Sequence, residues 1–265
     1  MRLVLSFLGP FQVTLDNQPA NFATDRARAL LAYLAVEADR PHRREALAAL
    51  IWPDQPEALA RRNLSQALVR LRRAIGDYHA PSPFLAITGK TIQFNRATAE
   101  LDVARFEVLL AAYASHPHLD VSSSSCPPCV ERLEKAAELY QGEFLQGLFL
   151  ADSQLFEEWA LLKREQLHRR ALDVLNTLTV YYQEGDVYDR VGHYAGRQLA
   201  LEPWREEAHR QLMRALALGG QRAAALAQYG ICCRVLADEL GVEPGPETTA
   251  LYQRIRGGDL SGGVR

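Results

Sequence analysis

Two sets of side chains in this sequence have the types and the spacing to do chemistry. The first is Arg62, Gln66, Arg70 and Arg73, which recur every three or four residues in the run Glu57-Ala58-Leu59-Ala60-Arg61-Arg62-Asn63-Leu64-Ser65-Gln66-Ala67-Leu68-Val69-Arg70-Leu71-Arg72-Arg73-Ala74-Ile75-Gly76. On a helix turning about 100° per residue they share a face with Val69, and Leu64, Leu68, Leu71 and Ile75 form an apolar stripe on the other side. Arg and Gln can each make paired hydrogen bonds to a purine edge, Arg to guanine and Gln to adenine. The chemistry is therefore base and phosphate recognition in a DNA groove. The plain alternative is a solvated surface helix, since charged faces are common. The second set is His116, His118, Cys126 and Cys129, a His-x-His and a Cys-x-x-Cys within fourteen residues. These are the ligand types of a structural Cys2His2 zinc site, and Pro127-Pro128 stiffens the thiol pair. The plain alternative is a polar loop with incidental residues. Redox chemistry of the Cys-x-x-Cys kind lacks the expected strand and helix pattern around it.

The elements that must position the arginine face follow from the flanking sequence. Leu3-to-Leu8 and Phe11-to-Leu15 alternate like strands about Gly9-Pro10, with a turn signal at Asp16-Asn17-Gln18-Pro19 and a short third strand expected near Asn21-Phe22. Thr24 or Asp25 can cap a helix over 26–38, whose Leu30, Leu31, Leu34 and Ala35 form an apolar stripe. A second helix is expected over 43–51, stopped by Trp52-Pro53, with Arg43 and Arg44 solvated in its first turn. The arginine helix, 57–75, is then third of three, with Gly76 as its stop. Behind it, Phe84-Leu85-Ala86-Ile87 and Thr91-Ile92-Gln93-Phe94 alternate around Thr88-Gly89-Lys90, a hairpin with a cationic tip. Three helices and a basic hairpin make a winged helix-turn-helix: the third helix enters the major groove and the wing reaches phosphate or minor groove.

Beyond the wing, Asp102 is placed to cap a helix reaching Tyr113, and residues 114–129 read as a Pro/Ser-rich loop. From Val130 to Arg256 the pattern is helical, with breaks near 142–153, at Gly185-Asp186, Pro203, Gly219-Gly220 and 241–246. Gly185 and Gly220 stand 35 residues apart, close to the 34-residue tetratricopeptide period, and Val191 and Ala225 fall at its small-residue position. The expected organisation is an α+β winged helix over 1–100, an all-α tetratricopeptide-like domain over 101–258 and a flexible tail over 259–265.

Composition narrows the class. Hydrophobic residues make up 48% of the 265, enough for two cores, and no apolar run approaches a membrane span. The apolar start, Met1 to Pro10, is too short for a signal peptide, and four cysteines do not make a secreted disulfide scaffold, so a cytoplasmic location is expected. Residues 1–100 hold 13 Lys+Arg against 9 Asp+Glu, and the remainder holds 17 against 23. A basic half joined to an acidic half suits a DNA-binding module carrying a protein-binding one.

Several stretches, in order, resemble bacterial activators of the antibiotic-regulatory-protein (SARP) class. They are Leu8-Gly9-Pro10-Phe11, the run from Arg26 to Leu34, Leu50-Ile51-Trp52-Pro53, the run from Asn63 to Gly76, Leu139-Tyr140-Gln141-Gly142-Glu143-Phe144-Leu145 and Phe156-Glu157-Glu158-Trp159. That resemblance implies a response-regulator-like winged helix followed by a bacterial transcriptional activation domain, and a sequence-specific transcription activator. It implies Arg62, Gln66, Arg70 and Arg73 for the groove, and Lys90, Thr91, Arg26 and Arg28 for phosphates. Arg61 and Arg72 lie on the flank, where they can clamp phosphates or pair with acids of the same domain. The implied partners are double-stranded DNA, RNA polymerase and a second protomer on DNA, with no membrane partner.

Other readings are weaker. Thr88-Gly89-Lys90-Thr91 mimics the end of a phosphate-binding loop, but Phe84 stands where that loop needs glycine. The sequence holds no nucleophile beside a base and no paired-acid motif in context, so no enzyme activity and no required cofactor are expected, with a structural zinc as the one candidate ion. The main alternative is a tetratricopeptide-like interaction scaffold that binds no DNA.

Overall fold

Asp16 and Asn17 take left-handed backbone conformations, with φ of 48° and 64°. Two such residues make a tight hairpin turn, so pairing resumes at once. In the computed structural model, which describes residues 1–117 and 126–259, β1 (Leu3–Ser6), β2 (Gly9–Pro10), β3 (Gln12–Leu15) and β4 (Gln18–Pro19) open the chain. Strand β3 runs antiparallel to β1, with Leu3 opposite Leu15 and Leu5 opposite Val13. The third strand expected near Asn21-Phe22 lies instead at Gln18–Pro19. Phe22 is buried, and its ring meets that of Phe11 edge-on at 5.5 Å.

Helix α1 (Asp25–Val36) starts at Thr24, whose hydroxyl accepts from the Ala27 amide at 3.3 Å. Its buried Ala27, Leu30, Leu31 and Leu34 reproduce the expected stripe. The next element differs from expectation. Arg43 belongs to a short strand, β5 (His42–Arg43), because its backbone pairs with Thr91 of the wing, and α2 (Arg44–Ile51) begins one residue later. Helix α3 (Glu57–Ala74) buries Leu64, Ala67, Leu68 and Leu71. Gly76 ends it with φ of 67°, a left-handed conformation that favours glycine. Strands β6 (Leu85–Ile87) and β7 (Thr91–Phe94) form the wing and, with β5, a three-stranded sheet in the order β5-β7-β6.

Two strands carry no sequence signal of their own. Strand β8 (Ala99–Leu101) pairs in parallel with β1, completing a sheet in the order β4-β3-β1-β8. Helix α4 (Asp102–Ala114) follows, then α5 (Pro127–Leu139). The expected loop thus ends earlier than Cys129: Pro127 occupies the first helical position, where a missing N–H costs nothing. Strand β9 (Phe144–Gln146) pairs in parallel with β2. Helix α6 (Gln154–Glu184) leads to α7 (Tyr188–Leu201), α8 (Glu206–Leu218), α9 (Arg222–Leu240) and α10 (Pro246–Gly257). Their ends fall at the breaks read from the sequence. This is the expected α+β segment followed by tetratricopeptide-like helices.

By its internal contacts the chain divides into two compact units. One comprises Met1–Ala114 with Glu138–Arg169 and holds all three sheets; the other comprises Ser115–Ala137 with Arg170–Arg265. In the first unit Trp159 meets Tyr33, Phe144 and Phe156 with centroids 5.0–5.7 Å apart, and its indole N–H donates to Glu37 at 3.0 Å. Burial alone would push the Glu37 carboxyl up, but hydrogen bonds from Trp159 and Lys163 outweigh it and hold it below its ordinary value. In the second unit Val191 and Ala225 are fully buried between helices, as the repeat position demands, and Met213, Leu251 and Ile255 close the core. Trp204, by contrast, is exposed.

Candidate nucleic-acid interface and metal cluster

Helix α3 sets the interface by its own periodicity. With its leucines buried, Arg62, Ser65, Gln66, Val69, Arg70 and Arg73 line one open groove along the exposed side. Among the described residues, no hydrogen bond or ion pair engages the side chains of Arg62, Gln66, Arg70 or Arg73. A neighbouring depression joins Gln66 and Arg70 to Thr24, Arg26, Trp52 and Asn63. The start of α1 and the middle of α3 therefore share one surface. Val69, 40% exposed among guanidinium groups, is the one large apolar side chain that lines the α3 groove and suits a thymine methyl.

The other candidates sit differently. Arg61 is ion-paired with Glu57 at 2.6 Å and Glu45 at 3.2 Å. Arg28 pairs with Asp25 at 2.9 Å, and Arg26 with Asp152. Arg72 donates to Asp77 at 2.6 Å and stacks on Tyr78 at 4.0 Å, which resolves its open reading in favour of an acid of the same unit. Asp77 is fully buried and also accepts from the amides of Phe84 and Leu85 at 2.6 and 3.1 Å, fastening the end of α3 to the wing. Lys90 is exposed at the wing tip, and Thr91 bonds hydroxyl to hydroxyl with Thr88 at 2.9 Å.

Arg44, expected to be solvated, is instead engaged on both sides. Its amide donates to the Lys90 carbonyl at 3.0 Å, and its guanidinium to Ser65 Oγ at 3.0 Å. One residue thereby ties the wing tip to the groove face. No sequence spacing announces that link, because it depends on β5 pairing with β7.

The second cluster forms at the start of α5. His116, Cys126 and Cys129 bring one ligand atom each to within 4.8 Å of one another, and Cys126 Sγ lies 3.8 Å from His116 Nδ1. A tetrahedral zinc with bonds of about 2.0–2.3 Å spaces its ligands by roughly 3.5–3.8 Å, so a small contraction would seat the ion. The Cys126 carbonyl accepts the amides of Cys129 and Val130, which fixes both thiols on the first helical turn. Burial and the neighbouring Cys126 push the Cys129 thiol up. His118, the fourth candidate, lies outside the described residues.

A three-helix array with its wing, followed by stacked helical hairpins, defines a winged-helix protein with a tetratricopeptide-like domain. The family model for the bacterial transcriptional activator domain matches residues 101–256, and the chain belongs to that family, within the SARP class. The transcriptional regulatory protein EmbR of Mycobacterium tuberculosis is 28% identical over 96% of this chain and 63% of its own length. The regulatory protein AfsR of Streptomyces coelicolor is 30% identical over 94% of this chain and 24% of its own. MoaR1 of M. tuberculosis, also a transcriptional regulatory protein, is 28% identical over 94% and 77%. A solved structure of M. tuberculosis EmbR in complex with a low affinity phosphopeptide matches with a TM-score of 0.63 at 25% identity, covering 97% of this chain and 65% of that one. The chain thus spans less than two thirds of EmbR and about a quarter of AfsR. Each of these relatives is named as a regulator. Among the described residues no helix is long and apolar enough to cross a membrane.

Proposed function

We propose that this protein is a sequence-specific DNA-binding transcription activator, acting in the cytoplasm. In this reading residues 1–100 bind DNA and residues 101–258 activate. Helix α3 lies in the major groove with Arg62, Gln66, Arg70 and Arg73 facing the bases. Lys90 and Thr91 of the wing, with Arg26 and Arg28 at α1, meet the backbone, and Arg61 flanks the helix. The observation that carries the reading is the groove face itself: three guanidinium groups and an amide, exposed, side by side and without a partner among the described residues. Exposed guanidinium groups without acids are poised for phosphates and purines rather than for internal structure.

A single winged helix reads few base pairs. Two protomers on repeated half-sites about one helical turn apart supply the missing specificity, and the helical domain engages RNA polymerase or the neighbouring protomer. The test is selection of bound duplexes from a random pool, then gel shifts across salt with the purified chain. A selected repeat bound far more tightly than random duplex is expected. A chain that binds no duplex at low salt would be the interaction scaffold instead.

The geometry of His116, Cys126 and Cys129 supports a second assignment: one structural zinc, with His118 as fourth ligand. The metal would hold the start of α5 and take no part in chemistry. Elemental analysis of untagged protein is expected to find about one zinc per chain. Metal-free protein whose melting is unchanged by chelator would remove this assignment.

A further inference from the structure

A cavity of about 360 Å³ lies in the second unit, bounded by the end of α6, by α7, α8 and α10. Its apolar wall is Val191, Ala215 and Leu251, all buried, and two arginines, Arg214 and Arg254, also line it. Arg214 is half-buried, yet no hydrogen bond or ion pair within the described residues involves it. Burial lowers its pKa, and Arg210 and Arg254 push the same way against the single opposing influence of Glu247. Glu247 is itself committed to Arg210, at 3.1 Å. The acids at the mouth, Glu184 and Asp186, are exposed; neither reaches Arg214, and Asp186 accepts from the Tyr188 hydroxyl at 2.8 Å. The wall thus holds a desolvated, under-neutralised cation beside an apolar surface.

We infer that this cavity is a binding site for a small amphipathic monocarboxylate, whose carboxylate sits on Arg214 and Arg254 and whose hydrocarbon body covers Val191, Ala215 and Leu251. A guanidinium fork matches a carboxylate in two parallel hydrogen bonds, and a dry setting strengthens each of them. The volume is at the low end of the roughly 300–1,000 Å³ typical of small-molecule sites. Closure by four separate elements suits a compact ligand rather than an extended acidic peptide running along a groove. The inference stands on the second unit alone and is independent of DNA binding.

The test uses the full chain with octanoate, octanamide, octylamine and an acetylated tetraglutamate peptide, read by saturation-transfer NMR and by thermal melting. Octanoate is expected to bind and to raise the melting temperature; octanamide and octylamine are expected to bind at least tenfold more weakly. Arg214→Met keeps the length and loses the charge, and is expected to weaken octanoate at least tenfold. Leu218→Trp, at the exposed rim, should block entry with the fold intact. Absence of octanoate binding, equal binding of octanamide, or octanoate binding unchanged in both variants would overturn the inference. So would tighter binding of the tetraglutamate peptide at the same site.

Discussion

The exposed face of α3 and the framework that holds it use charge in opposite ways. On the groove face, Arg62, Arg70 and Arg73 stand in solvent without an acid partner among the described residues, where a guanidinium is fully hydrated and costs the fold nothing. In the framework, Asp77 is buried and Asp102 partly so, and each carboxylate accepts from several donors. Asp77 takes two wing amides and Arg72, and Asp102 takes the amides of Phe7, Leu8 and Val103 at 2.7–2.8 Å. A buried carboxylate survives only with such partners, so these two acids are structural by necessity. The groove arginines have the reverse property: their substitution leaves the fold intact and alters what it can hold. Stability and binding should therefore be separable by residue.

The largest effect is expected from Asp77→Ala. It leaves two buried amides unpaired and frees Arg72, at a cost of about 3–5 kcal/mol. Chemical denaturation would show a large fall in the midpoint for the first unit. If stability were unchanged and only DNA binding fell, the division between framework and groove would be wrong.

The second test uses pH. Burial, the largest influence, raises the Asp102 carboxyl to about 6 from an ordinary 3.8, although the amides of Leu8, Phe7 and Val103 oppose it. A raised carboxyl holds its proton more tightly in the fold than in the unfolded chain. Stability from this group is thus fully present below about 4 and is lost as pH rises to about 6, by an amount on the order of 3 kcal/mol. Asp102→Asn, which cannot ionise, removes that dependence. Urea denaturation of both chains between pH 4 and 7 is expected to show the wild type losing ground to the variant as pH rises. Parallel curves would show that the acid is not held protonated.

The groove supplies the third. Arg70→Ala and Gln66→Ala are each expected to weaken the selected site by about 1–3 kcal/mol, and random duplex much less, with melting unchanged. Equal loss on both duplexes would reassign these residues from bases to phosphates.

What the sequence made legible follows the range of the interactions. The apolar stripe of α3, the Thr24 cap, the stop at Gly76 and the helical breaks at Gly185, Pro203 and Gly219 all rest on contacts within a few residues. They could be read in advance. The links that complete the first unit span long stretches of chain: β8 beside β1, β9 beside β2, Trp159 on Tyr33 and Glu37. A three-residue strand has no periodicity to see, and its partner cannot be inferred from a local pattern. The same limit explains Arg43 and Arg44. Their sequence suits a first helical turn, but pairing with the wing takes Arg43 into a strand and turns Arg44 toward Ser65. The six nominated residues other than the groove set divide by what stands nearby in space. Acids reach Arg26, Arg28, Arg61 and Arg72, which spacing along a single helix predicts only for the pairs at three and four residues.

The smallest effect sharpens the comparison most, because it separates two kinds of exposed cation. Lys90 and Arg70 are both exposed, and neither side chain has a partner among the described residues. Arg70 stands in a row with Gln66 and Arg73, whereas Lys90 sits on a flexible four-carbon stem at a turn held by Thr88 and Thr91. A compact ammonium on such a stem finds a phosphate but cannot match a base edge with two hydrogen bonds. Lys90→Ala is therefore expected to weaken selected and random duplexes alike. It should also lower the slope of log affinity against log salt by about one, the signature of one lost phosphate contact. Affinity measured on both duplexes at four salt concentrations checks this. A Lys90→Ala chain with unchanged slope would mean that the wing does not touch the backbone, leaving α3 to hold the duplex with the residues of α1 alone.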